Sequence, residues 1–127
     1  MKKIYLILIL VLCTMNAQAQ SFDDYMAEAQ SAADMWDYDE AIAAYDKALK
    51  LQPENTEIYF LRGYAKDMYG DRESAVDDYD KAIELHPEDS RIYHARGYAR
   101  EYIYEYKGAV EDFTKFLELE GDPYVSR

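Results

Sequence analysis

Cysteine is almost absent. The single Cys13 lies in an N-terminal apolar run, so the rest of the chain can form no disulfide, present no thiolate nucleophile and offer no thiolate to a metal. Histidine is nearly as scarce: His86 and His94 share no H-x-x-x-H or HExxH spacing, which argues against a metal site. Ser21, Ser74, Ser90 and Ser126 sit in no nucleophile-elbow context, and no glycine-rich loop is present to cradle phosphate. Basic charge is also short, with 14 Lys and Arg against 26 Asp and Glu, a net charge of −12. Such a chain repels nucleic acid. The acidic runs Asp37-Tyr38-Asp39-Glu40 and Asp77-Asp78-Tyr79-Asp80 suggest calcium only superficially. The first lacks the Gly and distal Glu of a calcium loop, and the second is expected to be helical, which scatters its carboxylates. No catalytic residue, metal ligand or cofactor is expected, and the chain does not read as an enzyme.

What is present begins with Met1-Lys2-Lys3, a short basic start, followed by the unbroken apolar run Ile4–Cys13 and the small-x-small triplet Ala17-Gln18-Ala19. This is the grammar of a secretory signal cleaved after Ala19, giving a leader over 1–19 and a repeat domain over 20–127. A retained membrane anchor needs about 20 apolar residues, roughly twice this run. Lipid attachment at Cys13 is disfavoured by the bulky Leu12 before it. The expected address is periplasmic or extracellular, in a bacterium, with no stable membrane insertion after cleavage. Loss of Lys2 and Lys3 leaves 12 basic residues against 26 acidic ones, a net charge of −14 on about 108 residues. A chain of that length is one domain with a modest core.

The segment Tyr59-x-x-Arg62-Gly63-Tyr64-Ala65 returns thirty-four residues later as Tyr93-x-x-Arg96-Gly97-Tyr98-Ala99. The same interval aligns Tyr25/Tyr59/Tyr93, Ala29/Gly63/Gly97, Ala41/Ala75/Ala109, Tyr45/Tyr79/Phe113 and Leu51/Leu85/Leu119, while Pro53 and Pro87 close the first two units. A 34-residue period of this kind marks stacked helix-turn-helix units. The chain resembles the tetratricopeptide repeat family, with units at about 22–55, 56–89 and 90–123. The resemblance implies an all-α solenoid of three repeats, preceded by the signal peptide. In the middle unit the first helix is expected over Thr56–Tyr69, the turn at Gly70-Asp71 and the second helix over Arg72–Leu85.

Three internal comparisons sharpen this reading. Ile58, Ile92, Ala65 and Ala99 fall in columns facing the preceding unit, where the first unit has Asp24 and Ser31, so the first unit reads as a cap. Gly63 and Gly97 would each cost about 1 kcal/mol in mid-helix. They suit a close helix approach, for which Ala75 and Ala82 offer the small face. Arg62 and Arg96 occur only where Asp78 and Asp112 also occur, and the first unit has Glu28 and Ala44 instead. That correlation suggests an Arg–Asp pair bridging the two helices of a unit. At the other end, Val110, Phe113, Phe116 and Leu117 form an apolar face that either the tail Pro123-Tyr124-Val125 or another molecule must cover.

In the resembled family the first helices line a concave side. Its columns imply a partner site at Phe60, Tyr64, Asp67, Met68, His94, Tyr98, Glu101 and Tyr102. Phe60, Tyr64 and Met68 follow helical spacing, as do His94, Tyr98 and Tyr102. Members that clamp a C-terminal carboxylate use Lys and Asn in these columns, so that function does not carry over. Aromatics and Met make adaptable contact surface, and Asp34, Asp67 and Glu101 would steer a basic segment toward it. The bland reading is core packing with a solvating charge. The expected function is a non-enzymatic adaptor for a protein or peptide. The alternative is an assembly module that self-associates, or docks in an envelope complex, through its uncovered C-terminal helix.

Overall fold

The computed structural model describes residues 1–124, and among them the side chains of all but residues 16–20. The side chains at the expected cleavage point, Ala17 and Ala19, and the tail residue Val125 lie outside the described set. Six helices follow in order: α1 Lys2–Asp34, α2 Tyr38–Leu51, α3 Thr56–Tyr69, α4 Arg72–Leu85, α5 Ser90–Tyr102 and α6 Tyr106–Leu119. Among the described residues there is no strand. The helices pair within units, α1 with α2, α3 with α4 and α5 with α6, and α2 packs on α3 as α4 does on α5. The apolar leader runs without a break into α1, and every residue from Ile4 to Leu12 is exposed. Among the described residues, no helix is long and apolar enough to cross a membrane.

Helix starts repeat with the sequence. Asp37 and Asp71, one unit apart, accept the backbone N–H of Glu40 and Ser74, each at 3.3 Å. Asn55 and Asp89 do the same for Ile58 at 3.3 Å and Arg91 at 3.1 Å. Each such cap satisfies an amide that the helix leaves unpaired, worth about 1 kcal/mol. The turn between the helices of a unit also repeats. Trp36, Gly70 and Tyr104 occupy one column, and all three are left-handed, with φ of 64°, 104° and 66°. Glycine suits that geometry; a Trp or Tyr there costs about 1–2 kcal/mol.

The core is built from small residues and the aromatic columns. Ile58 and Ile92 are fully buried, with Ala65 and Ala99 beside them, while Asp24 and Ser31 of the first unit are exposed. Polar side chains thus stand in solvent in the first unit at the columns that the later units bury. Tyr59 and Tyr93 donate their hydroxyls to the carbonyls of Pro53 and Pro87, at 3.0 and 2.9 Å, tying each first helix to the turn before it.

The Arg–Asp correlation is a contact. Arg62 donates to Asp78 through Nε at 2.8 Å and Nη2 at 2.6 Å, and Arg96 holds Asp112 in the same way. Each Arg also reaches back one unit, Arg62 to Asp46 and Arg96 to Asp80, both at 2.7 Å. Lys66 and Arg100, again one period apart, close on the same buried Asp78 and Asp112 at 3.0 and 3.1 Å. Burial pulls the Arg62 guanidinium down, but the Asp78 and Asp46 carboxylates outweigh it and raise the pKa above its ordinary value.

Two expectations need correction. What stands nearest the glycines is a ring rather than the small face of Ala75 and Ala82. A Cβ on Gly63 would stand 2.8 Å from Tyr79 Cε1, and one on Gly97 2.7 Å from Phe113 Cε1, so it is the second-helix ring that demands glycine. Nor is the α6 face uniformly uncovered. Phe113 and Phe116 are half-buried against His94, with ring centroids 6.2 and 4.7 Å away, and only Val110 is left exposed, at 65 %. Tyr124 is exposed and does not cover α6.

Candidate partner-binding groove

The first helices place their aromatic stripes side by side. Phe60, Tyr64, Asp67 and Met68 on α3, together with His94, Tyr98 and Tyr102 on α5, line one cleft of about 460 Å³. Seven of the eight residues singled out in the sequence thus meet in one place. Glu101 does not; it lines an adjoining cavity with Tyr98, Tyr102, Tyr104 and Tyr106. Tyr64 and Tyr98 are each 48 % exposed and Tyr102 64 %, so their rings are available to a visitor rather than spent on the core. Tyr98 packs edge-on against His94 and Phe113, at 4.9 and 5.1 Å, which fixes its ring in place.

Four further residues complete the wall: Arg72, Arg91, Ala95 and Phe116. Phe116 comes from α6 and closes the far side beside His94. The two arginines change the electrostatics. Arg72 lies over the Tyr102 ring at 3.9 Å and pairs with Asp67 at 3.2 Å. Arg91 lies over Phe60 at 5.1 Å and holds Asp89 and Glu57 at 2.7 and 3.0 Å.

Asp67 is consequently not a border charge. It is 8 % exposed, and burial raises its pKa above the usual carboxylate range even though Arg72 pulls the other way. Asp34 is exposed and accepts from Gln30 Nε2 at 2.8 Å, so it and Glu101 are the accessible acids of the expected border. Beneath the groove, Tyr79 is fully buried with its hydroxyl unpartnered; burial, then Asp67, drives its pKa up.

Sequence offered signals for some of the missed residues. Glu57 and Arg91 are opposite charges in the same column of adjacent units, and Asp67 and Arg72 straddle the Gly70-Asp71 turn. Among the described residues no group of His, Cys, Asp and Glu could hold a metal. The cleft can bury apolar and aromatic groups and stack planar ones.

Two family models match, one described as TPR repeat over residues 37–67 and one as Tetratricopeptide repeat over residues 56–89. Neither indicates a catalytic family. No curated protein matches the chain. Among solved structures, the chain is similar to the Arabidopsis OM64 TPR domain, with 26 % identity and a TM-score of 0.77, over 85 % of this chain and 89 % of that one. A MamA protein shares 26 % identity at a TM-score of 0.75, over 80 % of this chain, which spans 55 % of that one. The TPR2B domain of yeast Sti1, solved as a complex with pHsp70, is 24 % identical at a TM-score of 0.76, over 83 % of this chain and 84 % of that one. The family matches and these likenesses together support a tetratricopeptide-repeat fold for the chain.

Proposed function

We propose that the chain is an exported adaptor that binds a segment of another protein in the groove between α3 and α5. The observation that carries this reading is the cleft of about 460 Å³ whose walls are Phe60, Tyr64, Met68, Tyr98 and Tyr102. Rigid aromatics with few rotors, held by their neighbours, bury area at low entropic cost. The yeast Sti1 TPR2B domain, of the same fold, is known in complex with pHsp70, which makes protein recognition the reading that fits the architecture. The export half rests on the basic start and on the apolar helix from Ile4, whose exposure leaves it no place in the folded repeat. Crosslinked pull-down from the native envelope, comparing wild type with Tyr64→Ala, tests the groove. Equal capture by both would remove it from consideration.

Self-association or envelope docking through α6 is the second reading, and Val110 remains exposed to serve it. Phe116, however, already belongs to the groove wall.

A further inference from the structure

The middle and third units carry the same local framework, with changes at three columns around the turn. In the middle unit, Asp67 and Arg72 pair at 3.2 Å and the guanidinium lies 3.9 Å from the Tyr102 ring centre. One period later the acid is Glu101, and the arginine has become Tyr106. Gly70 has likewise become Tyr104. The third unit thus keeps the carboxylate, gains two rings and loses the cation. Among the described residues, no ion pair or side-chain hydrogen bond engages Glu101, and no cation stands over Tyr98, Tyr104 or Tyr106.

These groups line an open depression of about 490 Å³ formed by Tyr98, Glu101, Tyr102, Tyr104 and Tyr106, whose rings are largely exposed. Tyr104 and Tyr106 meet edge to face, with centroids 6.2 Å apart at 73°. Ring faces attract cations through their quadrupole, and a carboxylate among them adds direct attraction. Nearby charges are balanced: Glu105 is engaged by Arg100 at 3.6 Å, and Arg72, which stacks on Tyr102, is offset by Asp67.

We infer that this tyrosine cage is a second recognition subsite and takes an arginine side chain of the bound protein segment. The incoming guanidinium occupies the role that Arg72 plays in the middle unit, stacked on tyrosine and paired with Glu101. A planar guanidinium suits both contacts better than an ammonium. The inference deepens the groove reading and rests on it in that Tyr98 and Tyr102 wall both cavities.

The test titrates the full chain with Nα-acetyl-arginine methylamide, following the tyrosine ring resonances, with the citrulline and lysine analogues as comparisons. The arginine probe should bind at least about fivefold more tightly than the neutral citrulline isostere. Tyr104→Gly, which restores the residue of the middle unit and suits the left-handed turn, should keep the fold and lose most of this binding. Tyr106→Arg should fill the cage from within, raise the melting temperature and block the probe. Equal binding of citrulline, or unaltered arginine binding by Tyr104→Gly, overturns the proposal; tighter binding of lysine overturns the guanidinium assignment. Failure of the groove reading shows separately, because Tyr64→Ala alters the groove and leaves the cage lining intact.

Discussion

Arg62 holds Asp78 with two nitrogens, at 2.8 and 2.6 Å, while its third reaches Asp46 of the preceding unit at 2.7 Å. One side chain therefore fastens both the two helices of a repeat and two successive repeats. Asp78 is buried and Asp46 half exposed, so the two contacts differ in weight. Asp78→Ala should destabilise by about 3 kcal/mol, because it leaves a mostly buried guanidinium short of its partner. Asp46→Ala should stay within about 1 kcal/mol. Urea unfolding of the two variants checks this, and equal losses would refute the asymmetry.

A methyl group at Gly63 or Gly97 would press within 2.8 or 2.7 Å of an aromatic ring carbon. Gly63→Ala and Gly97→Ala should each cost about 1–3 kcal/mol through overpacking, despite alanine's better helix propensity. Gln52→Leu, at an exposed site, should stay within about 0.5 kcal/mol. Thermal melts of the three variants that coincide would sink the ring-contact argument.

Truncating a groove anchor should weaken capture of the native partner by about 2 kcal/mol, the scale of an interface hot spot. Tyr64→Ala and Tyr98→Ala are the direct tests. Phe116→Ala should now weaken binding as well, since Phe116 lines the cleft. Val110→Asp is the control for the outer face of α6. If it alone lowers binding or dissolves a dimer in light scattering, self-association becomes the better account.

Asp67 has its pKa raised by burial, so its contribution to stability runs opposite to that of an ordinary paired acid. The folded state binds its proton more tightly than the unfolded chain does. The contribution is fully present below the ordinary value of 3.8 and is lost as pH rises through the raised folded value. Asp67→Asn, which mimics the protonated acid, should match wild type at the acid end and be at least as stable at neutral pH. A variant markedly less stable at pH 7 than at pH 4, relative to wild type, would reverse the sign.

Export should remove the leader after Ala19 and leave a chain beginning at Gln20. Intact mass measurement of the protein recovered outside the cytoplasm checks this. A lipid-modified mass, or retention of Met1, would exclude it.

Much of the fold is legible from period alone. Repetition at thirty-four residues aligns caps, turns and core columns, and the α3 and α4 limits follow from the Asn55 cap, the Gly70 turn and Pro87. The Arg62–Asp78 and Arg96–Asp112 pairs are legible for the same reason: residues that serve one contact recur and vanish together. The aromatic stripe was readable because helical spacing fixes which side chains share a face.

Tertiary structure decided what spacing within one element does not encode. Asp67 looked like an open acid, yet packing buried it and the turn at Gly70-Asp71 returned Arg72 onto it. Phe116 reads as part of an uncovered face of the last helix, but the packing of α6 on α5 puts its ring against His94 and in the groove wall. Tyr104 belongs to none of the aromatic columns read from the sequence; its left-handed backbone and the edge-on ring of Tyr106 make it the wall of a depression. In each case the outcome depends on how one helix is set against the next. That setting comes from the sum of buried ring, glycine and ion-pair contacts, which a repeat pattern lists but does not orient.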